Sequence, residues 1–409
     1  MEFKTETLEN GLTIVGEIMP LSRSAALGFF TRTGGRDETA EISGVSHFLE
    51  HMMFKGTKKR TALEVNLEFD RMGANYNAFT SEENTAYYAA VLPEYVDNAL
   101  ELWCDLLRPS LRVEDFTIEK NVILEEIAMY KDLPQFDVLD RCRKLHFGDH
   151  QCGNSVLGTV QTITDLKCEQ MVDYFNARYS PDNMVLVCVG NIDWDDFVGQ
   201  VRQHCSSWQA YKPKRILSDF AGTGMLNVLS DEKIQREHIC LMASAPSAQS
   251  DKRYAASLLS NIIGDDGNSR LYWQLVDTAL ADSADLEYDS MDGTGAFYCY
   301  LSCEPEKADR VLDIAKKVFA NIRTNGVSEE ELEGSKNKLA SAMTLSGELP
   351  MGRFVPLGYD WIYRKKYRSL ADSLKELQGV TVKDINAMLE QYDFSNLTVQ
   401  GLGPCQRLG

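Results

Sequence analysis

The sequence contains no long run of apolar residues, no low-complexity tract and no Cys-x-x-Cys pair. A helix needs about 20 consecutive apolar residues to cross a membrane, so no membrane partner is predicted. The first residues are strand-like and show no charged leader followed by an apolar core, which argues against a secretory signal. The 10 cysteines are scattered, and reduced thiols explain them more simply than disulfides. A cytoplasmic location is therefore expected.

Basic residues are scarce relative to acidic ones. The chain has 42 Lys and Arg against 61 Asp and Glu, which gives a formal net charge of -19 at pH 7. A nucleic-acid-binding surface needs positive charge to contact phosphates, so no nucleic-acid partner is expected. An acidic interior would favour basic peptide substrates, although an ordinary acidic outer surface explains the same charge.

The length and an internal similarity predict two domains. A chain of 409 residues exceeds one ordinary hydrophobic core. The segment 179–190 recurs weakly as 392–401, an offset of 392 − 179 = 213 residues, and a helical pattern precedes the tyrosine each time. Two copies of one α/β unit would explain this, with chance similarity as the alternative. We predict domains over 1–207 and 225–409, joined by a charged linker with Pro and Gly over 208–224.

Histidine is also scarce, yet two of the 6 histidines lie four residues apart in the sequence His47-Phe48-Leu49-Glu50-His51. On a helix this spacing places His47 and His51 one turn apart on one face, with Glu50 beside them. Apolar residues at helical spacing predict that the other face is buried; they are Val45, Phe48, Leu49, Met52 and Met53. Such a pair can bind zinc, which in catalytic sites takes three protein ligands. An exposed histidine pair on an ordinary helix is the alternative.

A third ligand would decide between these alternatives, and a second helical pattern over 116–127 offers one. Glu119 and Glu126 are seven residues apart, almost two turns, and share a face of that helix. Glu126 follows His51 by 126 − 51 = 75 positions.

With this spacing, the chain resembles the pitrilysin/insulinase-like and mitochondrial-processing-peptidase-like zinc metallopeptidases of family M16, which carry an inverted zinc motif. The resemblance covers nearly the whole chain through the segments 6–12, 44–57, 73–80, 179–191 and 264–272. It implies an α/β (α+β) fold with two similar domains, each a mixed or antiparallel sheet covered by helices, together forming half of a clam-like chamber. The second domain would be an inactive repeat of the first.

The resemblance also implies roles for individual residues. His47, His51 and Glu126 would bind Zn²⁺, and Glu50 would activate the water that attacks the peptide bond. Glu119 would support the catalytic site by accepting a hydrogen bond from a ligand imidazole, with a solvated helix carboxylate as the alternative. The strand that lines the substrate channel in the family corresponds to Asn77, Ala78, Phe79 and Thr80.

One position departs from the family pattern. Many active members carry an Arg and, seven residues later, a Tyr in the second half, where this chain has Val276 and Ser283, or Asp282 if the alignment has a one-residue gap. Preorganised donors of this kind stabilise the transition state by several kcal/mol. We therefore expect a zinc endopeptidase for extended peptides that forms a heterodimer with an M16-like chain supplying Arg and Tyr. The alternative partner is a second copy of this chain, in a homodimer. The alternative function is that of a weakly active or non-catalytic subunit that binds peptides or has a structural role.

Overall fold

A computed structural model describes residues 1–218 and 220–409. In the first half the elements are β1 (Glu2–Thr7), β2 (Thr13–Ile18), β3 (Ala25–Thr31), α1 (Val45–Met53), α2 (Ala62–Met72), β4 (Asn75–Thr80), β5 (Thr85–Val91), α3 (Val96–Leu106), α4 (Val113–Lys131), α5 (Pro134–Phe147), α6 (Val160–Asp165), α7 (Cys168–Arg178), β6 (Met184–Gly190) and α8 (Trp194–Cys205). In the second half they are β7 (Leu226–Ser230), β8 (Glu237–Ser244), α9 (Arg253–Gly264), β9 (Ser283–Ser290), β10 (Gly295–Cys303), α10 (Ala308–Asn325), α11 (Glu329–Gly347), α12 (Pro350–Arg364), α13 (Leu370–Gly379), α14 (Val382–Leu389) and β11 (Thr398–Gly403). No helix of the described residues is long and apolar enough to cross a membrane.

The first sheet has six strands in the order β1-β2-β6-β3-β5-β4. Its neighbours are antiparallel except for the parallel pair β2 and β6. Strands β3 and β6 are buried along their whole length, because α12 covers one face of the sheet and the remaining helices of this unit cover the other. This burial explains their nearly continuous apolar sequences.

The second sheet has the order β7-β11-β8-β10-β9 and repeats the pattern of the first. Strand β11 pairs in parallel with β7 and antiparallel with β8, as β6 does with β2 and β3. The weak similarity between the segments that begin at Tyr179 and Tyr392 therefore reflects two copies of one α/β unit. The predicted fold class, two similar domains with a mixed sheet and covering helices, is confirmed.

The chain forms two compact units that do not follow the sequence continuously. The first contains Met1–Ile127, Asn154–Ile216 and Thr344–Ser369, and the second contains Ala128–Gly153, Leu217–Met343 and Leu370–Gly409. They differ from the predicted segments 1–207 and 225–409 because α5 packs on β8 and β11, whereas α12 packs on β3 and β6. Each helix buries its apolar face against the sheet of the unit to which it belongs.

The predicted linker over 208–224 includes residue 219, which lies outside the described residues. Its other residues form neither helix nor strand. Arg215 of this segment is almost fully buried and forms an ion pair of 2.7 Å with Asp37. The first part of the segment is therefore fixed to the first unit.

Candidate metal centre

Helix α1 carries the histidine pair and is anchored at its N-terminus. Gly44 precedes the helix with φ +93°, and a Cβ there would lie 2.5 Å from the carbonyl oxygen of Leu157, so only glycine fits. Glu38 accepts hydrogen bonds from the backbone N–H groups of Gly44 and Ser46, each at 2.7 Å. Burial raises the pKa of Glu38 to about 7, partly opposed by these donors. These contacts satisfy backbone groups that a helix start leaves unpaired.

The apolar face of α1 is buried as the sequence predicts. The side chains of Val45, Phe48, Leu49, Met52 and Met53 are all buried in the main core of the first unit. The helix can therefore present His47, Glu50 and His51 on its remaining face, held on a rigid element.

Helix α4 brings a carboxylate to the histidine pair. His47 Nε2 lies 3.7 Å and His51 Nε2 lies 3.6 Å from Glu126 Oε2. One ligand atom from each of the three side chains lies within 4.8 Å of the others. Ligand atoms in a tetrahedral zinc site are about 3.3 Å apart, because each is about 2.0–2.1 Å from the metal. Two imidazoles and one carboxylate at this spacing fit zinc with small adjustments of the side chains.

The two imidazoles have different surroundings. Burial, and then the nearby His51, lowers the pKa of His47 to about 3, so His47 is neutral at pH 7 as a metal ligand must be. For His51, burial lowers the pKa, but the hydrogen bond to Glu119 and the charges of Glu126 and Glu50 outweigh it and raise the pKa. In the absence of metal, the carboxylates around His51 therefore favour the protonated, positively charged form of its ring.

Glu119 lies behind the metal centre. Its Oε1 lies 2.9 Å from His51 Nδ1, which leaves His51 Nε2 to face Glu126. Glu119 is only 3% exposed, and Lys55 Nζ forms an ion pair of 2.5 Å with its Oε2. Burial raises the pKa of Glu119, but His51 and Lys55 together lower it below the usual value. Glu119 thus makes the contact with a histidine that the resemblance implies. Sequence reasoning did not identify Lys55, whose only signal is its position one turn after His51.

Glu50 contacts the end of the neighbouring strand. The Thr80 hydroxyl donates a hydrogen bond of 2.5 Å to Glu50 Oε2. Burial raises the pKa of Glu50, opposed by this hydrogen bond and by the charge of His51. A raised pKa makes a carboxylate a stronger base.

Strand β4 is the edge strand of the first sheet and packs beside α1. On β4, Asn77 is exposed, and Ala78, Phe79 and Thr80 are partly exposed. An edge strand has unpaired backbone groups on one side, to which an extended peptide can add by hydrogen bonding. The structure therefore places the candidate substrate strand next to the candidate base.

The second unit provides neither a guanidinium nor a phenol at the positions of the family's Arg and Tyr. Val276 is partly buried against the core of the second unit, and Ser283 begins β9. Asp282 forms an ion pair of 2.7 Å with Arg236. If the alignment is shifted by one residue, the position of the family's Tyr is therefore taken by a carboxylate that already pairs with Arg236.

Comparison with known proteins relates both halves of the chain to one peptidase family. A family model described as "Insulinase (Peptidase family M16)" matches residues 14–160, and a model described as "Peptidase M16 inactive domain" matches residues 165–339. An uncharacterized zinc protease of Bacillus subtilis is 32% identical over 390 residues, which cover 95% of this chain and 95% of that protein. An uncharacterized zinc protease of Mycobacterium tuberculosis (strain H37Rv) is also 32% identical, over 97% of this chain and 92% of the relative.

Solved structures share the fold at lower identity. A protease from Helicobacter pylori superimposes with a TM-score of 0.91 at 21% identity, covering 98% of this chain and 99% of that one. A peptidase M16 inactive domain from Pseudomonas fluorescens has a TM-score of 0.92 at 18% identity, covering 100% and 99%. At these identities the likeness concerns the fold alone.

Proposed function

Because the chain belongs to peptidase family M16, the insulinase family, we propose that it is a zinc-dependent endopeptidase that cleaves extended or unfolded peptides. The observation that carries the proposal is the complete set in one site: three ligand side chains from two helices, with Glu50 beside them. A subunit without catalytic function would have no need to keep all four groups.

The residues of the site have distinct chemical tasks. Zinc, when held by His47, His51 and Glu126, would lower the pKa of water and polarise the scissile carbonyl. Glu50 takes a proton from the attacking water and passes it to the nitrogen of the leaving amine. Glu119 accepts the Nδ1–H of His51 and so fixes the tautomer in which Nε2 is free to bind metal.

The edge strand supports a preference for extended substrates. Backbone hydrogen bonds to Asn75–Thr80 would hold a peptide in strand conformation with broad tolerance of side chains. The net charge of -19 would favour basic peptides among them.

This substrate preference gives a testable prediction. The zinc-loaded protein should cut unstructured peptides and a chemically unfolded protein, but leave the same protein intact when it is folded, because a folded domain has no free strand to add to β4. Mass spectrometry of products over a time course measures this. Rapid internal cleavage of the stable folded domain would contradict the proposed mode of binding, while equal resistance of folded and unfolded forms would contradict the activity.

We further propose that the working enzyme pairs this chain with a second M16-like chain that supplies the missing Arg and Tyr. The proposal rests on Val276, Ser283 and Asp282, which provide no positive charge or phenol. Two copies of this chain would contain the same three residues twice and would gain no donor.

The pairing proposal predicts a large gain of activity on mixing. Addition of a related M16 chain with the Arg and Tyr in its second half should raise the rate of peptide cleavage by ~10²-fold, the typical effect of restoring a transition-state donor. Cleavage assays and the mass of the complex in solution are measured together. The matched control is the same partner with its Arg and Tyr replaced by Val and Ser. Full activity from a pure homodimer would contradict the pairing.

The second candidate function is a zinc-containing subunit that binds peptides without cleaving them. The same missing donors favour it. Peptide binding without cleavage, by the zinc-loaded chain alone and in every pairing, would establish this function in place of the first.

A further inference from the structure

We propose that Thr80 is a positioning residue, whose hydroxyl orients the carboxylate of Glu50, and that its side chain does not contact the substrate. This inference rests on the proposed peptidase function and assigns Thr80 a different task from the one implied by family resemblance. Its starting point is the 2.5 Å hydrogen bond from Thr80 Oγ1 to Glu50 Oε2, which joins the last residue of β4 to α1.

The alternation of side chains along β4 explains the contact. Tyr76, Ala78 and Thr80 lie on one face of the strand because successive side chains point to opposite faces. Tyr76 and Ala78 pack against the core that contains α1, and Tyr76 stacks on Phe69 of α2 with 3.9 Å between ring centroids. Thr80 therefore faces the helix that carries Glu50. Phe79, on the opposite face, packs against the cluster formed with α12.

A peptide that adds to β4 does not need the Thr80 hydroxyl. Strand addition uses backbone N–H and C=O groups in the plane of the sheet, whereas side chains stand roughly perpendicular to it. The hydroxyl can thus remain on Glu50 while the backbone of the strand holds the substrate.

The turn after Thr80 is fixed by backbone hydrogen bonds and by one buried ion pair, so the hydroxyl has a defined place. Ser81 donates its N–H to the carbonyl of Asn84 at 2.8 Å, and Arg36 donates its N–H to the carbonyl of Glu82 at 2.7 Å. The Arg36 side chain also forms a buried ion pair of 2.5 Å with Glu83. The end of β4 is therefore held by contacts that do not involve Glu50.

The hydrogen bond engages one of the two oxygens of Glu50. With Oε2 accepting from Thr80, rotation of the carboxylate about its terminal bond is restricted. Oε1 accepts no hydrogen bond from residues 1–218 and 220–409, and it is the oxygen left to take the proton of the attacking water. A base held in this way keeps a productive geometry through proton transfer.

The first part of the test separates kcat from KM. Thr80→Val keeps the shape but removes the donor, and should lower kcat by ~10-fold to ~100-fold through a misplaced base, with KM and zinc content unchanged. Thr80→Ser keeps the donor and should restore most of kcat. The matched control is Thr7→Val, because Thr7 ends the opposite edge strand of the same sheet and its hydroxyl forms a hydrogen bond only with Thr13 among the described residues.

The second part measures binding without catalysis. In the inactive Glu50→Gln background, addition of Thr80→Val should leave the Kd for a fluorescent unstructured peptide unchanged within about 2-fold. A weaker Kd would show that the side chain contacts the substrate and would overturn the proposal. If Thr80→Val does not fold, Thr80→Ala replaces it in both measurements.

The outcomes for this proposal and for the peptidase function can be told apart. The positioning role alone would be overturned if the wild type is active and Thr80→Val is fully active. It would also be overturned if Thr80→Ser fails to restore kcat. Zinc-loaded wild-type protein that cuts no peptide, alone or paired, would overturn the proposed function and the positioning role with it.

Discussion

The variant Glu50→Gln should retain one zinc ion per chain and lose peptide hydrolysis by at least ~10²-fold. Glutamine preserves the size of the side chain and its ability to accept the hydrogen bond of Thr80, but it cannot take a proton from water. None of the three proposed ligands is changed, so metal analysis of the variant should match that of the wild type. Initial rates of peptide cleavage and zinc content measured on one preparation test both halves of this expectation.

A matched control for this variant is Glu41→Gln. Glu41 is exposed and lies just before α1, so its replacement removes a nearby charge without changing the site. It should cleave peptides at the wild-type rate. Retained hydrolysis by a pure, zinc-loaded Glu50→Gln protein would remove Glu50 from the role of base.

The variant Glu126→Gln should bind zinc much more weakly. Structural zinc sites with four protein ligands bind with about 10–16 kcal/mol, so one ligand contributes about 3 kcal/mol, which corresponds to ~10²-fold in affinity. Loss of the negative charge adds to this effect because His47 and His51 are neutral when they bind metal. Competition with a fluorescent chelator measures the affinity without any need for activity.

The neighbouring residue provides the control. Glu125 lies on the same helix but is exposed and turned about 100° away from Glu126. Glu125→Gln should bind zinc as tightly as the wild type. Equal affinities of the Glu125→Gln and Glu126→Gln variants would contradict the assignment of Glu126 as a ligand.

Local patterns were sufficient to predict the two helices of the site. The spacing of Val45, Phe48 and Met52 defines the buried face of α1, and the opposite face then follows from the geometry of the helix. The periodicity of α4 showed that Glu119 and Glu126 share a face. It could not show that this face reaches α1, because the distance between two helices depends on packing; that step came from the family resemblance.

The contacts around the ligands were less accessible to sequence reasoning. Thr80 and Glu50 are 30 residues apart, and their hydrogen bond depends on how β4 ends beside α1. Lys55 carries no motif that identifies Glu119 as its partner. Such contacts arise from tertiary packing, which produces no periodic pattern in the sequence.

The sequence could not show that α5 belongs to the second unit and α12 to the first, for a similar reason. Helix α5 has buried residues at helical spacing, including Val138 and Cys142, which indicate an amphipathic helix. The pattern does not indicate which sheet will cover that face. In the structure, the face packs on β8 and β11, more than 90 positions further along the chain than Cys142.

Peptide hydrolysis should depend on a single zinc ion held by His47, His51 and Glu126. The most direct test of this dependence is a titration of zinc into the metal-free protein, alone and with the proposed M16-like partner, while cleavage of a mixed library of unstructured peptides is followed by mass spectrometry. Activity should rise in proportion to added zinc, reach a plateau at one equivalent per copy of this chain, and require ~10²-fold more free zinc in the Glu126→Gln variant. Cleavage that is independent of zinc, or that rises equally in the Glu126→Gln variant, would contradict the account.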